Sequence, residues 1–367
     1  PGSSSSDVKE LIYAAEGMGF PVIVKAAAGG GGKGMHIVSK PEHLEIAIET
    51  ARREAQSAFG DDTVFIEKYL DGPRHIEFQV LADHHGKVIH LFERECSIQR
   101  RHQKIIEETP SPALTPELRE KMGKAAVRAA RAVGYTNAGT VEFMMDKHRN
   151  FYFLEMNTRL QVEHAITEAT TGIDIVKWQI RIAAGEELTL EQKDIIQRGH
   201  AIECRVYAED PERGFLPSTG KFTRVMLPHG VNVRHDTALE EGTEVTPYYD
   251  PMVAKVIVHA ENRDEAINKM VWALENYVAV GVTTNIDFLK DVLQHPEFRA
   301  GNITTHFISD YFSNWGTGEE KLPDEVLIAA AVADYLRPLE ERGESLTGIV
   351  EEDPHSPWKK GGKWRLG

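Results

Sequence analysis

The 367-residue chain is long enough for two or three domains around a substantial core, and 41% hydrophobic content excludes a wholly disordered protein. A net charge of -15 disfavours nucleic acid or an anionic membrane surface as the main partner, while allowing a local basic site for an anionic ligand. With only Cys96 and Cys204, no leader pattern and no apolar run near the roughly 20 residues of a bilayer span, a disulfide framework, a cysteine zinc site and a membrane anchor are all disfavoured, and a cytoplasmic setting is expected.

The sequence opens at Pro1, so it is expected to be a piece of a longer protein. Residues 3–6, a serine run, read as a polar loop, and Asp7 reads as the cap of a helix through Lys9, Leu11 and Ala15 to Gly17. Strands are expected at 20–25 and 35–38 on either side of a glycine run, then a helix over 41–58 from the spacing of Leu44, Ala47, Ile48 and Ala51, and a strand at 64–68. Residues 74–92 alternate in β fashion around an Asp-His-His-Gly turn, and Thr115 opens a helix over 116–133. A hairpin is expected over 140–157 and a helix over 173–184. A second unit of short strands begins near Gly199, followed by helices at 262–277 and 285–294. No internal repeat is visible, and from Gly343 the chain reads as a polar linker.

Four segments carry chemistry. Gly29-x-Gly31-x-x-Gly34 matches a dinucleotide fingerprint in letters, yet a strand follows where that motif needs a helix. Gly32-Lys33-Gly34 lacks the hydroxyl of a P-loop, and the companion motifs of a kinase glycine loop are missing. What remains is a strand ending in Lys25, a glycine hairpin rich in free N–H groups, and a return strand, which together suit a phosphate grip; an ordinary flexible hairpin is the plain alternative. In the hairpin 140–157, a turn centred on 147–150 puts Glu142 opposite Glu155, with Asn157 and Arg159 continuing on the Glu155 face. Facing carboxylates are unfavourable unless a cation lies between them, and magnesium takes such an oxygen set; a solvated hairpin is the alternative. The run Glu93 to Lys104 is dense in cationic residues and reads equally well as solvated surface, while Arg159 and Glu163, four apart, read equally well as a simple ion pair.

Taken together these blocks resemble biotin carboxylases, the ATP-grasp component of biotin-dependent carboxylases. The resemblance spans roughly residues 1–310 and rests on 25–35, Glu67-Lys-Tyr-Leu70, Pro73-Arg-His75-Ile-Glu77, the run Arg94 to Lys104, Glu155-Met-Asn-Thr-Arg159, Gln161-Val-Glu-His164, Glu203-Cys-Arg205 and Gly214-Phe-Leu-Pro217. It implies an α+β ATP-grasp fold: a small glycine-flap subdomain at 1–70, a large subdomain with the metal and bicarbonate site at 71–198, a biotin carboxylase C-terminal domain at 199–312, and a terminal helix and linker at 313–367. The family's amino-terminal nucleotide-fold domain, with a further ATP-contacting lysine, is expected to precede Pro1.

The resemblance also implies roles. Lys25 with Gly30, Gly31 and Gly32 would hold ATP phosphates, Glu67 and Leu70 would line the adenine pocket, and His75, Gln99 and His102 would be nucleotide contacts. Glu142 and Glu155 would bind magnesium or manganese, helped by Asn157. Lys104, Arg159, Gln161 and the backbone at Val162 would surround bicarbonate, with Glu163 its general base and Arg205 stabilising the enolate-like oxygen of biotin. The implied reaction carboxylates carrier-bound biotin through carboxyphosphate, with a biotin carboxyl carrier domain, a carboxyltransferase subunit and a second copy of the chain as partners. Ala165 stands where many members have proline. The segment Asp353-Pro-His-Ser-Pro-Trp358 and Trp364-Arg-Leu366 resemble the linker of acyl-CoA carboxylase α-subunits. Pyruvate or urea carboxylases share the earlier motifs, and a carbamoyl-phosphate synthetase-like enzyme would share the bicarbonate chemistry while lacking the Glu-Cys-Arg block.

Overall fold

A computed structural model of the chain describes residues 2–5, 7–28, 35–101, 103–316 and 324–341. Gly30, Gly31, Gly32 and His102 lie outside the described residues, as does the expected linker from Gly343.

The first segment builds a four-stranded antiparallel sheet in the order β1-β4-β2-β3 from β1 (Gly2–Ser4), β2 (Val22–Ala26), β3 (Met35–Val38) and β4 (Val64–Lys68). The serine run is therefore partly strand rather than loop: Gly2, Ser3 and Ser4 pair with Glu67, Ile66 and Phe65. Edge pairing through main-chain groups needs no side-chain alternation, so periodicity had no signal to offer there. Two helices cover one face, α1 (Val8–Met18), capped where expected by Asp7 accepting from the Lys9 N–H at 2.8 Å, and α2 (Leu44–Phe59), preceded by a short 3₁₀ turn over Pro41–His43. Leu11, Ala15, Val22, Val24, Leu44, Ile48 and Ile66 fill the space between. Strand alternation then leaves Lys25, Phe65 and Glu67 on the opposite, open face of the sheet.

The larger sheet has eight strands. They are β5 (Arg74–Ala82), β6 (Val88–Arg100), β7 (Gln103–Thr109), β8 (Asn137–Met145), β9 (Phe151–Asn157), β10 (His200–Tyr207) and the strands Val233–Thr237 and Met252–Ala260. Their order is Val233–Thr237, Met252–Ala260, β10, β7, β6, β5, β8, β9. The expected boundary at 198/199 thus falls within one sheet, because β10 pairs with β7 on one side and with Met252–Ala260 on the other. The charge run 93–104 is not solvated surface either. It continues β6 into the turn and start of β7, with Arg94, Cys96 and Ser97 buried.

Alternation divides β5 cleanly. Ile76, Phe78, Val80 and Ala82 pack against Met122, Ala126 and Ala130 of α3 (Pro116–Ala132), which Thr115 caps by accepting from the Leu118 N–H at 3.3 Å. His75, Glu77 and Gln79 fall on the other face, toward α4 (His164–Thr171). α4 was not expected from the sequence and begins directly after Glu163. α5 (Ile175–Ala183), capped by Asp174, shields the far end with Trp178 and Ile182. α6 (Arg263–Glu275) and α7 (Ile286–Gln294) complete the core behind β10 with Ile267, Met270, Phe288 and Leu289. Residues Pro1–Gly316 form one compact unit. Separately, Asp324–Glu341 is a helix. No described helix is long and apolar enough to cross a membrane.

Candidate functional site

The hairpin β8–β9 brings Glu142 opposite Glu155, as counting from the turn predicts, by a different route. The turn is one residue tighter, with Asp146 and Asn150 closing it and Arg149 at φ 64°, and a register shift beside Glu142 restores the pairing. Glu155 is exposed and Glu142 is buried. The Asn157 amide stands between them, donating to Glu142 Oε1 at 2.9 Å and to Glu155 Oε1 at 3.2 Å. Two converging carboxylates and an amide, one edge open to solvent, match the oxygen donors that magnesium or manganese prefers. Burial pushes the Glu142 carboxyl up, but His75 and Lys104 outweigh it and hold it down at about 2.

Lys104 is the hub. Its Nζ donates to Glu77 Oε2 at 2.6 Å, to Glu142 Oε1 at 3.0 Å and to Glu163 Oε1 at 2.7 Å. Burial alone would pull its pKa down, yet Glu77, Glu163 and Glu142 raise it well above the ordinary lysine range, so it stays cationic. Glu163, at the amino-terminal boundary of α4, gives its second oxygen to Arg205 NH2 at 2.9 Å. Gln161 accepts from Arg159 NH1 at 2.9 Å and donates to Glu142 Oε1 at 3.4 Å, and the Val162 carbonyl accepts from Lys255 Nζ. His75 Nε2 lies 2.8 Å from Glu142 Oε2, and its Nδ1 lies 2.6 Å from the Gln99 amide.

The structure therefore gathers Lys104, Glu142, Glu155, Asn157, Arg159, Gln161, Val162, Glu163, Arg205, His75 and Gln99 into one connected network. Lys25 and Glu67 pair with each other on the open face of the small sheet and, among the described residues, make no hydrogen bond to that network. Leu70 is half-buried in the segment joining the two sheets.

Sequence reasoning gave no role to Glu77, Arg94, Glu107, Lys255 or Asn285. Arg94 is fully buried and donates to Glu77 Oε1 at 2.6 Å, Gln79 Oε1 at 2.9 Å, Thr167 Oγ1 at 3.0 Å and Thr140 Oγ1 at 3.1 Å, which ties β5, β6, β8 and α4 together under the site. Asn285 supports β10 by donating to the Arg205 carbonyl at 3.1 Å and accepting from the Tyr207 N–H at 2.8 Å. The available signal was polar residues at every second position of strands whose alternate positions are apolar, as in His75-Ile-Glu77-Phe-Gln79.

Chemically, such a cluster can hold one carboxylate, Glu163, oriented between two cations while a divalent metal and an anion gather beside it. The comparisons with known proteins bear on the family. Residues 1–191 match the family described as carbamoyl-phosphate synthase L chain, ATP binding domain, and residues 203–310 match the biotin carboxylase C-terminal domain. A biotin carboxylase from Halalkalibacterium halodurans is 53% identical over 313 residues, covering 85% of this chain and 69% of the relative. The mitochondrial methylcrotonoyl-CoA carboxylase subunit alpha of Mus musculus is 48% identical over 342 residues, covering 93% of this chain but 47% of the relative. The chain thus spans about half to two thirds of the length of such curated relatives. Among solved structures, the biotin carboxylase domain dimer of Hydrogenobacter thermophilus 2-oxoglutarate carboxylase, in complex with MgADP, ADP and bicarbonate, superposes with a TM-score of 0.81 at 50% identity, covering 85% of this chain and 69% of that one. Biotin carboxylase from Campylobacter jejuni gives a TM-score of 0.81 at 46% identity, covering 85% and 70%. By sequence and by fold, this chain belongs to the biotin carboxylase family of ATP-grasp proteins.

Proposed function

We propose that the chain contributes the ATP- and bicarbonate-dependent carboxylation of carrier-bound biotin, the first half-reaction of a biotin-dependent carboxylase. The observation that carries this reading is Glu163 held between Lys104 at 2.7 Å and Arg205 at 2.9 Å, beside the Glu142–Glu155–Asn157 donor set. Lys104, Arg159, Gln161 and the backbone at Val162 form the bicarbonate pocket. Glu163 takes the bicarbonate proton, which frees the oxygen to attack the γ-phosphate; the β–γ phosphoanhydride bond breaks, ADP leaves, and carboxyphosphate is formed. Magnesium or manganese bound by Glu142 and Glu155, with Asn157, would neutralise charge on the ATP phosphates. Arg205 stabilises the oxygen that becomes negative on biotin when its ureido N–H proton passes to the phosphate that carboxyphosphate releases with CO2. Lys25, with Gly30, Gly31 and Gly32, would hold ATP phosphates, Glu67 and Leu70 would serve the adenine pocket, and His75, Gln99 and His102 would be nucleotide contacts.

In this reading 1–70 is the lid, 71–198 carries metal and bicarbonate, and 199–312 supplies Arg205. A carrier domain, a carboxyltransferase and a second copy of the chain are the partners. The acyl-CoA branch is favoured because matches to methylcrotonoyl-CoA and propionyl-CoA carboxylase chains extend over 342 to 369 residues, against 313 for the stand-alone biotin carboxylases. Buried, unpaired Cys96 and Cys204 suit a reducing compartment such as the cytoplasm. The test is phosphate release from ATP and bicarbonate by the full-length natural protein, with and without free biotin. Stimulation by biotin is expected, and release that ignores biotin overturns the assignment.

A further inference from the structure

Two buried carboxyl groups beside the site have no part in that scheme. Glu107 on β7 and Glu203 on β10 stand directly opposite one another in the antiparallel ladder, and both are fully buried. Glu107 Oε1 accepts from Arg205 Nε at 2.6 Å, but Glu107 Oε2 and both oxygens of Glu203 have no hydrogen-bond partner among the described residues. Lys255 Nζ approaches Glu203 Oε2 only to 3.5 Å and is committed to the Val162 carbonyl and to Asp236 at 3.2 Å.

Residues directly opposed in such a ladder have Cβ atoms about 4.5–5.5 Å apart, and two carboxylates that close do not both stay ionised away from water. One proton held between them removes the repulsion, and an O–H on Glu203 then has an acceptor in Glu107 Oε2. The same proton pairs one otherwise unpartnered oxygen on each residue, which would carry the cost of a buried unsatisfied acceptor.

We propose that Glu107 and Glu203 share a single proton, and that this dyad positions Arg205 so that the guanidinium stays in place when Glu163 becomes protonated. The proposal rests on the function assigned above, in which Glu163 is the base. Arg205 is gripped from two sides, by Glu107 Oε1 at Nε and NH2 and by Glu163 Oε2 at NH2. A proton on Glu163 removes the charge from one grip. A singly charged dyad keeps the other, holding the guanidinium in place for the oxygen developing on biotin. The groups facing the dyad are Arg205 and Tyr207 on its own sheet, Lys104 of β7, Cys96 of β6, Glu163 before α4, and Lys255 and Asp236 of the neighbouring strands. In support, burial pushes the Glu107 carboxyl up to about 6 against the pull of Arg205. Burial and Glu107 together push Glu203 well above the usual carboxyl range.

The experiment compares Glu203→Gln, Glu203→Ala and Glu107→Gln in the full-length natural protein. Infrared spectra at neutral pH should show a protonated-carboxyl carbonyl band in the wild type that disappears in Glu203→Gln. The side-chain amide that Glu203→Gln introduces donates to Glu107 as the proton does, so this variant should retain about tenfold more biotin-dependent kcat than Glu203→Ala. Glu107→Gln should lose about tenfold or more in biotin-dependent kcat, with KM for ATP within about twofold. An unchanged band, or equal rates for the two Glu203 variants, overturns the dyad while biotin stimulation of the wild type stands. Loss of biotin stimulation in the wild type overturns the functional reading instead, and the infrared band still decides the shared proton. The band needs only folded Glu203→Gln, so a failure of Glu107→Gln to fold does not remove the test.

Discussion

Arg205 donates from NH2 to Glu163 Oε2 at 2.9 Å, joining a residue in the middle of β10 to one at the boundary of α4. Lys104 takes the other oxygen of Glu163 at 2.7 Å, so the carboxylate is fully buried yet bonded to two cations. That arrangement fixes the direction of the carboxylate and leaves neither of its oxygens without a donor.

Replacing Arg205 by lysine keeps the charge but not the planar fork that reaches Glu107 and Glu163 at once. Arg205→Lys is expected to lower biotin-dependent phosphate release by about 10²–10³, the usual cost of one lost oxyanion donor. Steady-state assays that vary biotin check this, and a variant with unaltered biotin dependence contradicts the role given to Arg205.

Lys25 sits on the open face of the small sheet with only Glu67 as ion-pair partner among the described residues, its side chain about one-fifth exposed. In the proposed function Lys25→Gln removes a charge-assisted contact to ATP worth about 1.5–3 kcal/mol, so KM for ATP should rise by about 10- to 100-fold. The melting temperature should move little, because an ion pair still partly open to solvent contributes little to stability. Normal ATP kinetics in this variant would mean that the flap has been misassigned.

Because Glu142 is held down at about 2, it is ionised throughout the neutral range and ready for a cation. Glu142→Gln and Glu155→Gln should each weaken manganese binding by about tenfold or more, read by electron paramagnetic resonance in the presence of ADP. Chelation with EDTA should abolish turnover in the wild type, and adding back either magnesium or manganese should restore it. Undiminished manganese affinity in both variants would exclude this donor set.

Stability toward acid should depend on Glu108. It is fully buried, bonded to His200 Nε2 at 2.7 Å and to Arg263 at 2.7 and 2.9 Å. Burial pushes its carboxyl up, but those partners outweigh it and lower it from 4.5 to about 2. A carboxyl depressed in the folded state stabilises the fold above its unfolded value and loses that contribution as pH falls through the folded value. Urea midpoints should therefore decline between about pH 4.5 and pH 2, and Glu108→Gln should flatten that part of the decline while costing about 3–5 kcal/mol at neutral pH. An unchanged acid slope in the variant would assign the decline to other carboxyls.

Much of the architecture was readable locally. Asp7 and Thr115 act as caps, the small unit forms its sheet and two helices, and Glu142 meets Glu155. The Glu142 pairing was right for an incomplete reason, since a tighter turn and a register shift cancel, and counting along a hairpin sees neither. The run 93–104 was ambiguous because charge density alone does not say whether a strand is central or exposed. Its burial follows from β5 and β7 flanking β6, and Arg94 finds its partners on β5, β8 and α4 rather than nearby in sequence.

The sequence by itself determined the periodicities, the caps and the motif blocks, because these depend on spacing within one element. Only the tertiary structure decided that Lys104 would bridge Glu77, Glu142 and Glu163, and that Glu107 would face Glu203 beside Arg205. Those contacts join residues from 27 to 98 positions apart, and they exist only because the sheet sets β10 beside β7 and places β5 between β6 and β8. Strand order is chosen by the packing of the whole sheet between its helices, a global balance that no local propensity records.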